Sequence, residues 1–272
     1  MLIAHLTDLH ILEKGQKLAN ILDTNALALQ AIETINAQPT RPSFVVVTGD
    51  LTHNGKYEEM EVAKKILDEL DMPYFALPGG HDNATEFAEV FGERGWIDPD
   101  TGETRYVVDE FPVRLIVADT TAGKGEMPQF GHERCAWLDQ TLSNRPETPT
   151  LLALHHPPIQ CRIPVAAYVS DVAVRWAQEL KAVVERHPQI CSVVCGHVHR
   201  TTHAQWAGTL VSIGPGASVQ TAPDFTDFAE IKSQGGRRTK LLVEPGGWQA
   251  LWWDGEALLN FGLFADRSYA SY

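Results

Sequence analysis

Apolar residues in this chain come in short runs with two different periods. LIAHLT, FVVVTG, YFAL, RLIVAD, TLLAL and SVVC are β-branched stretches bounded by polar or glycine-containing segments, which predicts strands. Helical periodicity fills the gaps between several of them. DTNALALQAIETINA places Ala26, Leu29, Ile32 and Ile35 on one face behind an Asp23 or Thr24 cap, and EEMEVAKKILDEL repeats the pattern through Val62, Ile66 and Leu70. SDVAVRWAQELKAVVERH, opening at Ser170 and stopped by Pro188, predicts a third helix. Strands alternating with helices predict an α/β layered fold.

Beyond about residue 200 the helical period stops. HAQWAG, TLVSIG, TKLLVE, GWQALWW and ALLNFGLF predict a strand meander, with Trp252 and Trp253 pointing to opposite faces. The polar, glycine-containing stretch over 220–240 predicts a surface loop or flap. No repeat or linker divides the chain, so 1–272 is expected to be a single domain, with a core over 1–200 and C-terminal strands over 201–272.

Composition narrows the partners. The formal charge of −13 argues against a surface that holds a nucleic-acid polymer or an anionic membrane, since both need clustered Lys and Arg. A small anionic substrate stays compatible if a metal supplies positive charge. The N-terminus lacks a secretory pattern and no apolar run has the length of a membrane span, so a cytoplasmic protein is expected. Cys135, Cys161, Cys191 and Cys195 form no CxxC pair and are expected as free thiols. A homo-oligomer is left open.

Metal-binding residue types gather where predicted strands give way to loops: Thr7-Asp8-Leu9-His10, Gly49-Asp50, Gly79-Gly80-His81-Asp82, His155-His156-Pro157-Pro158 and Gly196-His197-Val198-His199. Open α/β sheets place their sites at such positions. Asp8 and His10, two apart at a strand end, share a side and can grip one ion together, and His197 and His199 repeat the spacing. Asp50 is placed for a carboxylate that bridges two ions. Imidazole with carboxylate suits Zn, Fe, Mn or Co better than Ca or Mg. Each motif alone has a bland explanation: a capping pair, a turn, a strand stopped by prolines, two surface imidazoles. Their joint occurrence in one chain is what points to a site.

The order D-x-H, GD, G-x-H-D, HH, G-H-x-H resembles the calcineurin-like metallophosphoesterase family over residues 8 to 199, and within it the bacterial class III cyclic-nucleotide phosphodiesterases and related glycerophosphodiesterases. The resemblance implies a four-layer α/β/β/α sandwich, with the late meander completing the second sheet. It implies a hydrolase for small phosphodiesters that uses two divalent metal ions, iron or manganese, with zinc and cobalt also admitted by the donors. Asp8, His10 and His199 would hold one metal, His155 and His197 the other, and Asp50 both. His156 would stand behind the ligands. A hydroxide shared by the metals would attack phosphorus, His81 would meet the phosphate or the leaving alkoxide, and Asp82 would orient its ring.

One position departs. The family reads Gly-Asn-His-Asp/Glu where this chain has Gly79-Gly80-His81-Asp82, so the amide ligand of the second metal is absent. Water in its place with weaker binding, recruitment of Asn83 or Asp82, or loss of activity would each follow from that change, and the first is favoured. A phosphomonoesterase and a non-catalytic scaffold are the competing readings. A metal-dependent amidohydrolase fits less well, since its first motif is His-x-His and its barrel needs eight strand-helix repeats. His53 and Asn54 are left between a pocket role and a turn. His5 is expected to be packed, and His132, His187 and His203 solvated.

Overall fold

Alternate residues of the central strands feed different cores, and that alternation builds the layers. The computed structural model describes residues 1–121, 128–163, 176–226, 230, 233 and 239–265. β1 (Leu2–Leu6), β2 (Phe44–Thr48) and β3 (Tyr74–Leu77) run parallel, with Ile3 beside Phe44 and Val45 beside Tyr74. Leu2, Ala4, Leu6, Val45 and Val47 pack outward against α1 (Thr24–Asn36), α2 (Tyr57–Leu67) and α3 (Ala84–Phe91), while Ile3, Phe44 and Val46 pack inward. Each of the valine, leucine, isoleucine and phenylalanine side chains contributes roughly 1.5–3 kcal/mol on full burial.

The second sheet repeats the logic. β4 (Arg105–Val108), β5 (Arg114–Ala118), β6 (Thr150–Ala153), β7 (Ile190–Cys195), β8 (Thr202–Trp206) and β9 (Thr209–Ile213) stand in the order β4-β5-β6-β7-β9-β8. Leu115, Val117, Leu151 and Val194 meet the first sheet, and Ile116, Leu152, Val193 and Cys195 face α4 (His132–Ser143) and a helical stretch over 176–185. Helix, sheet, sheet, helix is the four-layer order the resemblance implied.

The meander divides between the sheets. β8 and β9 complete the second one, as expected, but β12 (Gly247–Trp253) pairs antiparallel with β1, and β13 (Leu258–Phe264) pairs with β12, closing the first. This pairs the edge of β1 that β2 leaves open, and so covers its backbone groups. Trp253 is buried and Trp252 exposed, as alternation predicts. TKLLVE contributes only β11 (Leu241–Leu242), paired with β10 (Gln220–Thr221). The predicted start of the third helix at Ser170 and ten of the 21 residues of the predicted flap over 220–240 lie outside the described residues.

The first helix turns a different face from the one predicted. Ala28, Ala31, Ile32 and Ile35 are buried, whereas Leu29 is exposed, so two alanines let α1 lie close on the sheet. Asp23 is its cap, accepting from the Ala26 amide at 3.1 Å. The cysteines are free thiols. His132 is exposed, but His187 is buried and not solvated as expected, because Asp139 holds its Nε2 at 2.8 Å. Among the described residues, no helix is long and apolar enough to cross a membrane.

Candidate metal centre

The five motifs follow β1, β2, β3, β6 and β7, whose parallel direction brings all their C-terminal ends to one end of the sandwich. The loops there are stitched together. Asp8 N donates to Gly49 O at 3.1 Å, His10 N to Asp50 O at 2.9 Å and Gly196 N to His155 O at 3.1 Å. Between the sheets, His197 N donates to Asp8 Oδ1 at 2.9 Å. Asp8, His10, Asp50, His197 and His199 all have φ between 47° and 69°. Side-chain-bearing residues in that left-handed region carry strain of about 1–3 kcal/mol each, and such strain gathers at functional sites.

Their side chains converge. His10 Nε2 lies 3.0 Å from His199 Nε2 and 3.7 Å from Asp50 Oδ2, and His199 Nε2 lies 3.4 Å from Asp8 Oδ1. On the other side of Asp50, His155 Nε2 lies 3.4 Å from Oδ1. The two oxygens of Asp50 therefore face two separate donor sets, Asp8-His10-His199 and the neighbourhood of His155 and His197. His155 Nδ1 donates to the Thr48 carbonyl at 2.7 Å, which turns Nε2 toward Asp50. His156 sits behind this set: its Nδ1 pairs with Thr120 Oγ1 at 2.8 Å, and its ring lies 4.8 Å from that of His197.

Asp8 Oδ2, His155 Nε2 and His197 Nε2 are buried without a hydrogen-bond partner. Orphaned acceptors at that depth cost free energy unless a cation takes them, so the donor set fits metal ions. Its electrostatics agree. Burial lowers the pKa of His197 to about 3 and that of His199 to about 4, and it holds His10 well below the usual histidine range. These rings are neutral at pH 7, with lone pairs available to a metal. Burial acts against the Asp50 carboxylate, yet His155, His81, His10 and His197 hold its pKa well below the ordinary range. Asp8, beside that charge, is pushed up, mainly by burial.

The Gly79-Gly80 pair has two different explanations. A Cβ on Gly79 would overlap the amide and Oδ1 of Asp50, so glycine is obligatory there. Gly80 lines the pocket and is not among the glycines of positive φ, so its backbone does not demand glycine. Neither neighbour replaces the missing amide. Asn83 Oδ1 caps α3 by accepting from Thr85 N at 3.0 Å. Asp82 accepts from Leu51 N, Thr52 N, Thr52 Oγ1 and Gly79 N at 2.7–3.0 Å.

Those bonds correct the expectation that Asp82 orients His81. The carboxylate ties two loops together, and the His81 ring is held instead by the His53 carbonyl, 2.8 Å from Nδ1. His53 itself lines the pocket with His10, Asp50, His81, His197 and His199. Asn54 does the work of the turn, giving its N and Nδ2 to Glu59 at 2.8 and 2.7 Å. Beyond the histidines the described pocket wall is apolar or hydroxylic, with Leu18, Ile163, Val219, Thr221, Thr239 and Leu241, and the whole cleft with its mouth encloses about 710 Å³.

Residues 1–201 match the calcineurin-like phosphoesterase family. The chain belongs to that family. A glycerophosphodiester phosphodiesterase of Enterobacter lignolyticus is 32% identical over 82% of this chain and 79% of its own. A 3′,5′-cyclic-nucleotide phosphodiesterase of a Nostoc species is 28% identical over 90% of this chain and 89% of its own. The fold is that of a purple acid phosphatase from yellow lupin, with a TM-score of 0.70 at 14% identity; the match covers all of this chain and 52% of that longer one. The protein is thus a member of a hydrolase family that acts on phosphoric esters and uses a binuclear divalent metal centre.

Proposed function

We propose that this phosphoesterase hydrolyses small phosphodiesters, of the 3′,5′-cyclic-nucleotide or glycerophosphodiester type, with Asp8, His10 and His199 holding one metal, His155 and His197 the other, and Asp50 shared. The observation that carries the reading is the division of Asp50: Oδ2 toward His10 at 3.7 Å, Oδ1 toward His155 at 3.4 Å, with orphaned buried nitrogens beside it. The activities of the relatives support the substrate class. Iron or manganese is the expected metal, since mixed imidazole and carboxylate donors suit such ions.

Metals held there would supply positive charge to the phosphoryl oxygens and acidity to an attacking water. The chain's own part is positional. Thr48 fixes the His155 ring, the His197 amide fixes the Asp8 carboxylate, and the His81 amide donates to Asp50 Oδ1 at 2.9 Å. With Nδ1 of His81 given to the His53 carbonyl, Nε2 is the atom that meets the phosphate or the leaving oxygen. As water adds to phosphorus, the bond to the leaving alcohol breaks, and the alcohol departs with a proton.

The test compares initial rates on bis-p-nitrophenyl phosphate and p-nitrophenyl phosphate with added manganese, in parallel with chelated protein. A metal-dependent preference for the diester is expected. A preference for the monoester would make the protein a phosphomonoesterase, and no rate on either ester with any of several metals would refute hydrolysis at this site.

A further inference from the structure

Among the site's histidines, His53 has no assigned work. The structure gives its turn role to Asn54 and leaves its ring, half-buried, at the pocket wall. Three contacts fix it there. Its Nδ1 lies 3.4 Å from His10 Nδ1, its ring stacks on His81 with centroids 5.2 Å apart and planes 21° from parallel, and its carbonyl accepts from His81 Nδ1 at 2.8 Å.

We infer that His53 is a substrate-contacting residue, which donates a hydrogen bond from Nε2–H to a phosphoryl oxygen in the pocket. The inference rests on His10 serving as a metal ligand. His10 Nε2 faces His199 Nε2 at 3.0 Å and Asp50 Oδ2 at 3.7 Å, so it is the ligating nitrogen and gives its lone pair to the cation. The proton of a neutral ligating imidazole then resides on its other nitrogen, which needs an acceptor. The atom opposite His10 Nδ1 is His53 Nδ1. Accepting there places the remaining proton of His53 on Nε2, away from His10.

The stacked pair is thereby divided in function. His81 spends its Nδ1–H on a backbone carbonyl and works through Nε2, whereas His53 spends its Nδ1 lone pair on His10 and presents an N–H. Phosphoryl oxygens accept hydrogen bonds and give none, so a fixed donor is the complement they need. Gly80, on the same wall, has no side chain to supply one. No Lys or Arg occurs among the described lining residues either. A neutral donor in place of a cation matches the single negative charge of a phosphodiester better than the double charge of a monoester.

The test uses inorganic phosphate as the probe, titrated calorimetrically into manganese-loaded protein, with manganese affinity and stoichiometry measured separately. His53→Ala is expected to weaken phosphate binding about 10-fold, the loss of one hydrogen bond to a charged acceptor. His53→Gln, whose side-chain amide donates, should recover part of that loss. In steady state the alanine variant should raise KM for bis-p-nitrophenyl phosphate. Unchanged phosphate binding in His53→Ala would overturn the inference while leaving the phosphodiesterase reading intact. Loss of manganese together with phosphate would also overturn it, by making His53 only a support for His10. If the unmodified protein neither binds phosphate in a manganese-dependent way nor hydrolyses the diester, the underlying functional reading fails first.

Discussion

Asp82 accepts from both the amide and the hydroxyl of Thr52, at 2.8 and 2.7 Å, and so locks the loop after β3 to the loop after β2. With Leu51 N and Gly79 N on the same carboxylate, its loss would strand buried donors in two loops that carry Asp50 and His81. Asp82→Ala should destabilise the fold by about 3 kcal/mol, since buried donors left unpaired lose their full hydrogen-bond compensation. For a chain of this size that is a fall in Tm of roughly 6–12 °C by thermal scan. Excess metal should restore part of the activity, because the lesion is in loop position. A variant as stable as the parent would remove Asp82 from this role.

Gly80→Asn returns an amide to a backbone that does not require glycine. Its expected effect is on one ion only: the weaker of two metal sites should tighten by about 10-fold, with turnover at limiting metal rising accordingly. Calorimetric metal titration reads both sites at once. Two equally tight sites in the unmodified protein would contradict the premise that the second lacks a ligand.

The two oxygens of Asp50 predict a pattern of metal loss. His199→Gln should deplete one ion and His155→Gln the other, each lowering affinity at its own site by at least about 10- to 100-fold. Asp50→Ala should lower both. Elemental analysis after dialysis against dilute manganese would show the pattern, and an equal loss of both ions in all three variants would argue for a single cooperative site.

His5 makes a prediction about acid. Buried between the sheets, it bonds Gln249 Oε1 at 2.9 Å and Thr48 Oγ1 at 2.7 Å, and burial lowers its pKa to about 4 from 6.5. The folded state binds this proton less readily than the unfolded one, so the stabilising contribution is complete above pH 6.5 and is lost as pH falls toward 4. The difference is on the order of 3 kcal/mol. Denaturant melts of chelated protein should lose stability across that window, and His5→Gln should lessen the slope by about one proton. An identical slope in the variant would place the titration elsewhere.

The central strands β1, β2, β5, β6 and β7 were legible because they are buried on both faces and read as near-continuous apolar runs, as FVVVT does. β4 was not, since Arg105 and Tyr106 in RYVV are only partly buried and the strand pairs β5 alone. α4 buries just Cys135, Leu138 and Leu142, and its cap, Gly131, offers no side chain, so no start signal marks it. α3 is hidden differently: its cap, Asn83, lies inside the stretch that looks like a metal motif. The motif residues themselves were readable, because glycine, aspartate and histidine at strand ends carry the pattern without the third dimension. What stayed unreadable were contacts between loops. Asp82 reaches back 30 residues to Thr52, and His53 reaches His10 across 43, separations over which no local spacing constrains the partner.

The amide of His197 on the Asp8 carboxylate joins two points 189 residues apart. In polymer terms, an ion held by Asp8, His10 and His199 would close a loop of that length between the halves of the chain. Cross-links over long loops restrict the unfolded ensemble most. Chelation should therefore act on this protein as reduction acts on a disulfide-bonded domain, by freeing one half of the chain from the other.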